Sequence, residues 1–122
     1  MKIARIYSTE DGESRFDEVD LAFADLNYIE GASPIGVAGP FEADRVQFVR
    51  VPDGWTDTRH PSPSRQYVAV LDGEGEFTTS DGEVRIFRTG DIFLLDDTRG
   101  KGHGSRFTGK SGFLAMMTPL KP

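Results

Sequence analysis

Runs of about five to nine residues rich in Val, Ile, Phe, Tyr and Thr recur along the chain, separated by brief polar turns. The turn marks are Asp11-Gly12, Pro52-Asp53-Gly54, Asp72-Gly73, Asp81-Gly82, Thr89-Gly90 and Lys110-Ser111-Gly112. That rhythm predicts an all-β fold, a sandwich or barrel, with little helix. The clearest element is a hairpin over Glu74–Phe87 turning at Asp81-Gly82. A type I′ turn suits it, because both central residues need positive φ, which Asp tolerates and Gly adopts freely. On its second strand Val84 and Ile86 share one face and Glu83 and Arg85 the other, which predicts a buried Val84/Ile86 face and a wet opposite one.

Two segments, Gln66–Leu71 and Ile92–Leu95, are apolar on both faces, as expected of central strands between an interior and a covering layer. Further strands are expected at Lys2–Tyr7, Val19–Phe23, Arg45–Val51, Gly104–Phe107 and Phe113–Thr118. Phe16, Val19, Phe23 and Leu26 also fit a helical face, but the all-β surroundings favour a strand. The Gly-, Pro- and Ala-rich stretch 31–40 reads as an extended loop over the surface or a barrel mouth.

At this length one domain over residues 1–122 is expected, since domains run to roughly 100–150 residues. Nine Phe, three Tyr and one Trp compensate for the modest 37% apolar share by supplying large side chains for a core. The absence of cysteine excludes a disulfide framework, a thiolate metal site and a cysteine nucleophile. The N-terminal run lacks the continuous apolar stretch of a signal peptide, and nowhere do about 18 apolar residues run together. A cytoplasmic protein with no membrane partner is expected. A net charge of −6 argues against nucleic acid as a partner, which would need clustered cations. Residues 1–30 hold eight acids and three bases, while residues 98–122 hold five bases and no acid. The two ends are therefore expected to lie together and neutralise.

Imidazole chemistry is confined to His60 and His103. His60 lies in a turn-rich segment before the Gln66 strand, and His103 lies in the Gly-rich run Arg99–Gly104 after another apolar strand. The segment Gly54–Gly73 resembles the first cupin motif in spacing throughout: His60 stands at the first His, Ser62 at the second His and Gln66 at the Glu. Gly90–Phe107 is similar to the second motif more loosely. There Asp96 and Thr98 replace Pro and Gly, His103 arrives two residues late, and Phe107 stands at the Asn.

The resemblance implies an antiparallel double-sheet jelly-roll β-barrel, frequently a homodimer, with both histidines directed into one end. It also implies a divalent transition metal (Zn, Ni, Fe or Mn) on His60, Gln66 and His103, with the carboxamide a weaker neutral ligand than the usual carboxylate. Ser62, Trp55 and Phe107 would line the same pocket. Alternatively both histidines are polar lining residues hydrogen-bonded to Gln66 and Ser62. Three functions stay open: a metal-dependent enzyme on a small organic substrate, a metal-free module binding or sensing a small-molecule ligand, or a structural dimer whose barrel mouth is vestigial. Asp57, Arg59 and Arg65 read as solvated loop charges. Ser62 and Ser105 lie near the histidines in sequence, which does not define a catalytic triad.

Overall fold

A computed structural model describes residues 1–108 and 112–122. These hold eleven strands: β1 (Lys2–Ser8), β2 (Ser14–Asp20), β3 (Ala24–Leu26), β4 (Ile35–Val37), β5 (Gln47–Val51), β6 (Gln66–Asp72), β7 (Glu74–Thr78), β8 (Val84–Arg88), β9 (Ile92–Asp96), β10 (Gly104–Phe107) and β11 (Phe113–Pro119). The larger sheet runs β2-β1-β9-β6-β11-β5 and the smaller β10-β7-β8, with β3-β4 a separate ribbon. The pairs are antiparallel except β1 with β9, where Ile6 lies opposite Leu95. This is the all-β double-sheet jelly roll.

The core lies between the sheets. Ile6, Val68, Val70, Phe93, Leu95, Phe113 and Ala115 point inward from the larger sheet and meet Phe77 and Phe87 from the smaller one. Phe87 stacks on Phe93 with ring centroids 4.0 Å apart, and Phe77 meets Phe93 edge-on at 5.0 Å. Fully burying each such ring contributes roughly 1.5–3 kcal/mol. Leu94, on the opposite face of β9, is only 1% exposed, in keeping with a strand covered on both sides. Leu71, by contrast, is exposed at the end of β6.

Several expectations are corrected. The first N-terminal pairing is by Ser14–Asp20, not Val19–Phe23, because a tight turn at Thr9–Glu13 folds β2 back along β1 from Ser14 onward. Phe23 is left exposed. The stretch 31–40 is not loop throughout, since Ile35–Val37 pairs with Ala24–Leu26. On β8 it is Arg85 and Phe87 that turn inward. Val84 and Ile86 are exposed, because Phe87 fixes the register and Arg85 finds cover with its guanidinium 4.7 Å from the Phe16 ring.

The β7–β8 turn is also not type I′. No residue other than glycine has positive φ among the described residues, so Asp81 does not supply one of the two required. Instead Gly82 N–H donates to Thr79 O at 3.0 Å and Thr79 N–H to Glu83 O at 3.1 Å. Only Gly82, at φ 87°, is left-handed, as in a type I turn followed by a glycine bulge. The β1–β2 turn repeats this chemistry, with Gly12 at φ 85° between Thr9 and Glu13. The two turns dock reciprocally. Ser80 N–H donates to Ser14 Oγ and Ser14 N–H to Ser80 Oγ, both at 2.8 Å. The expected turn at Lys110-Ser111-Gly112 lies, apart from Gly112, outside the described residues.

The termini neutralise in part. Lys101 pairs with Glu13 at 2.6 Å, and Arg99 donates to the Glu10 carbonyl. Arg106 and Lys121 turn instead to Glu76 and Glu42.

Candidate functional site

At one end of the core the segment before β6 runs antiparallel beside β10 and widens the smaller sheet. Thr56 bridges Arg106, and His60 bridges His103 through reciprocal backbone hydrogen bonds of 3.0 Å. Glycine at 102 permits this approach. It lies at φ 69°, and a Cβ there would fall 2.0 Å from the carbonyl carbon of His60. Beneath the bridge lies a cleft of about 330 Å³ between the sheets, lined by His60, Ser62, Gln66 and His103 together with Trp55, Phe77, Phe107, Phe113 and Met117. All six residues singled out from the sequence therefore reach one cleft. Trp55 stands half-exposed with its ring 5.9 Å from Phe107, and Phe107 leads on to Phe113 at 4.6 Å.

The histidines differ in surroundings. His103 is 4% exposed, and its Nδ1 lies 2.6 Å from Oδ2 of Asp97, which is fully buried. A carboxylate only accepts, so Nδ1 carries the proton, and in the neutral form of the ring the lone pair is on Nε2. Nε2 makes no hydrogen bond among the described residues. Asp97 also accepts the Ser62 N–H at its carbonyl, 2.9 Å away, fixing the loop that carries His103's partner to the start of the first motif.

His60 is the more open ring, with its side chain 47% exposed. Its Nδ1 faces the Pro61 carbonyl at 2.9 Å and its Nε2 faces Asp57 Oδ2 at 3.1 Å. Asp57 is not a solvated loop charge. Its side chain is 7% exposed because it also takes the Ser105 N–H at 2.9 Å and the Ser105 hydroxyl at 2.6 Å. Arg59 is exposed, and Arg65 reaches Asp96 at 3.3 Å from a half-exposed position.

Gln66 is 3% exposed. The Ser62 hydroxyl donates to Ser64 O at 2.7 Å, so Ser62 Oγ accepts from Gln66 Nε2 at 3.2 Å. That chain fixes the carboxamide orientation and leaves Gln66 Oε1 buried without a partner. The histidines are not hydrogen-bonded to Gln66 or Ser62; each has its own carboxylate.

The arrangement does not fit a metal. A ligand nitrogen must offer a lone pair, whereas both nitrogens of His60 already face oxygen acceptors. Among the described residues no three His, Asp or Glu side chains group so as to hold an ion. What the cleft offers chemically is a mainly apolar enclosure whose lining residues carry two unpartnered acceptors, Gln66 Oε1 and His103 Nε2. The second is held in its tautomer by Asp97 and is able to take a proton as well as a hydrogen bond.

Sequence reasoning missed Asp97, set Ser105 aside and misplaced Asp57. For Asp97 the available signal was an acid closing an apolar strand just before the Gly-rich loop that carries the second histidine. For Asp57 it was a spacing of three residues from His60 inside a turn.

The family model for the cupin domain matches residues 47–118. A search of curated proteins returns no match. Among solved structures, the Cnp3 cupin domain of Schizosaccharomyces pombe is similar over 99% of this chain and 83% of that one, at 17% identity and a TM-score of 0.50. A conserved protein of unknown function from Streptococcus pyogenes, SPY1581, is 22% identical over 63% of this chain, with a TM-score of 0.46, and the match spans only 63% of its own length. Protein NMB1881 from Neisseria meningitidis is 16% identical over 62% of this chain and 72% of that one, with a TM-score of 0.46. At 17% identity the likeness to the Cnp3 cupin domain concerns the fold alone.

Proposed function

This chain belongs to the cupin domain family, and from that premise we propose that it binds a compact organic molecule, apolar in body and ending in a hydrogen-bond donor, in the cleft between its sheets. The observation that carries the reading is the buried, unpartnered Oε1 of Gln66 beside a cleft whose exposed lining is mainly apolar. Such an acceptor costs about 1–3 kcal/mol while unpaired. A ligand hydroxyl or N–H directed at it recovers that cost, and His103 Nε2 offers a second acceptor to the same polar end. Pockets of this kind fix orientation by a few polar groups and gain affinity from the apolar remainder.

A second reading, proton abstraction from the bound molecule, is favoured by the Asp97–His103 contact, which orients a neutral imidazole as a base. The ligand X–H bond facing Nε2 would break, its proton passing to Nε2 to give an imidazolium beside Asp97 and its electron pair staying on the ligand. A metal-dependent enzyme on His60, Gln66 and His103 is the weaker reading, since His60 would first have to leave Asp57 or the Pro61 carbonyl.

A thermal-shift screen of small phenols, alcohols and amides against the intact chain tests the proposal. At about 100 times its dissociation constant a ligand adds roughly 2.7 kcal/mol to stability. The reading expects stabilisation by donor-bearing compounds, lost in Gln66→Met. It is refuted if matched hydrocarbons without a donor stabilise equally, or if Gln66→Met leaves the ligand shift unchanged.

A further inference from the structure

The space between the sheets opens a second time, away from the histidines. A cavity of about 540 Å³ lies where the start of β1 (Lys2, Ala4) and the entry to β9 (Asp91, Ile92) face β8 (Arg85, Phe87). Leu95, toward the other end of β9, lines the cleft instead. An aromatic layer divides the two openings. Phe87 walls this cavity and Phe77 walls the cleft, and their rings meet edge-on with centroids 5.7 Å apart. Strand alternation turns Lys2 to the same face as Ala4, which packs against the core, and Arg85 to the same face as Phe87.

Of the charges around this opening, all but one have a partner. Arg85 Nε donates to Glu83 at 2.8 Å, and its guanidinium lies over the Phe16 ring. Asp20 stands opposite Lys2 in register but turns to the Met1 ammonium, 3.1 Å away. Asp91 Oδ2 accepts the Arg88 N–H at 2.7 Å, which ties that carboxylate to its own turn. Lys2 has neither an ion pair nor a side-chain hydrogen bond among the described residues. Beside it the wall is hydrocarbon: Ala4, Phe87 and Ile92, the last left 39% exposed, with Ile86 at the rim 40% exposed.

We infer that this second cavity binds a small monocarboxylate with a short hydrocarbon body, its carboxylate on the Lys2 ammonium and its chain against Ala4, Phe87 and Ile92. A lysine ammonium is a compact point charge with three donors on a flexible stem, suited to an oxygen anion arriving from solvent. A single unmatched cation flanked by Asp20, Glu83 and Asp91 accommodates one negative charge. Those neighbouring carboxylates oppose a second, which disfavours a phosphate dianion. Covering Ile92 and the edge of Phe87 with the ligand's chain removes apolar surface from water, which supplies the remaining affinity. The aromatic layer separates this site from the cleft, so the inference stands apart from the function proposed there.

Amide chemical shifts of the isotopically labelled full chain, titrated with hexanoate, hexanol and hexylamine, test it. Hexanoate should bind most tightly and move the Ala4, Gly90 and Ile92 amides. Lys2 is exposed, so Lys2→Met spares the core. It should weaken hexanoate about tenfold, the lower end of what a charge-assisted hydrogen bond contributes, and bring it level with hexanol. Lys2→Arg, which keeps the charge, should keep the affinity. Gln66→Met alters the cleft alone and should leave the hexanoate titration unchanged, so that this site and the cleft fail or stand separately. The inference is overturned if hexanol or hexylamine binds as well as hexanoate, or if Lys2→Met binds hexanoate like the parent. Hexanoate shifts centred on Gln66 and His103, or none at Ala4 and Ile92, would overturn it equally.

Discussion

Asp97 and His103 form a buried pair, Oδ2 to Nδ1 at 2.6 Å, in which the carboxylate has a single side-chain partner and its other oxygen is sealed from solvent without one. His60 and Asp57 form the outer counterpart, where the carboxylate is independently satisfied by Ser105.

The two histidines should therefore differ in structural weight. His103→Ala strands Asp97 and is expected to cost about 3–5 kcal/mol, the range for breaking a buried pair on one side. His60→Ala leaves Asp57 with two hydrogen bonds and is expected to cost no more than about 1 kcal/mol. Urea unfolding of both variants checks this, and equal losses would contradict the assignment of the buried partner.

Chelation should be without effect. If His60 keeps both nitrogens on oxygen acceptors, dialysis against EDTA leaves the melting temperature where it was, and added Zn²⁺ or Ni²⁺ gives no stabilisation that His60→Ala abolishes. A metal-dependent shift tied to His60 would show that the ring turns away from Asp57 to ligate.

Two glycines of similar φ should respond very differently to alanine. At Gly82 an added methyl meets open space, so only the left-handed backbone penalty of about 1–2 kcal/mol applies. At Gly102 it would enter the His60 carbonyl, separating β10 from the segment beside it, and the expected loss exceeds about 4 kcal/mol. Comparable midpoints for the two variants would mean that the His60–His103 bridge is looser than described.

The acid limb of the stability curve should trace to the paired turns. The Thr9 hydroxyl holds Asp11 below its usual value of 3.8, the Thr79 hydroxyl does the same for Asp81, and Lys101 with Ser80 holds Glu13 below 4.5. Since these acids are stronger in the folded state, their stabilisation is complete above those ordinary values. It drains away as pH falls through the lower folded ones. Thr79→Val is thus expected to be less stable than the parent at neutral pH, with the two curves drawing together below 3.8. A constant gap across the titration would assign the loss to packing instead.

Much of the fold was legible because alternation and turn residues report backbone geometry directly. Gln66–Asp72, Gly104–Phe107 and Phe113–Pro119 emerge within a residue or two of expectation. The face of β8 was not legible. Val84 and Ile86 look like core residues until Phe87 competes for the interior, a choice made by the opposing Phe93 and Phe77 rather than by the strand itself. The β3–β4 ribbon escaped for a related reason: Gly and Pro mark irregular backbone but do not say whether a short pairing survives between them. At the cleft, motif spacing located His60, Gln66 and His103 together. Their partners, Asp57 and Asp97, depended on loop conformation, and so did whether each ring nitrogen faces a carboxylate or is free to ligate.

The reciprocal Ser14–Ser80 hydrogen bonds join turns 66 residues apart, and Ser14 Oγ reaches on to the Gly102 carbonyl, 88 residues away. Such a clasp contributes nothing until both hairpins and the histidine loop have arrived, so the chain bears the entropy of closing long loops before the reward is collected. Refolding should consequently be slow, in the millisecond-to-second range of non-local β topologies, with the cleft among the last features to mature.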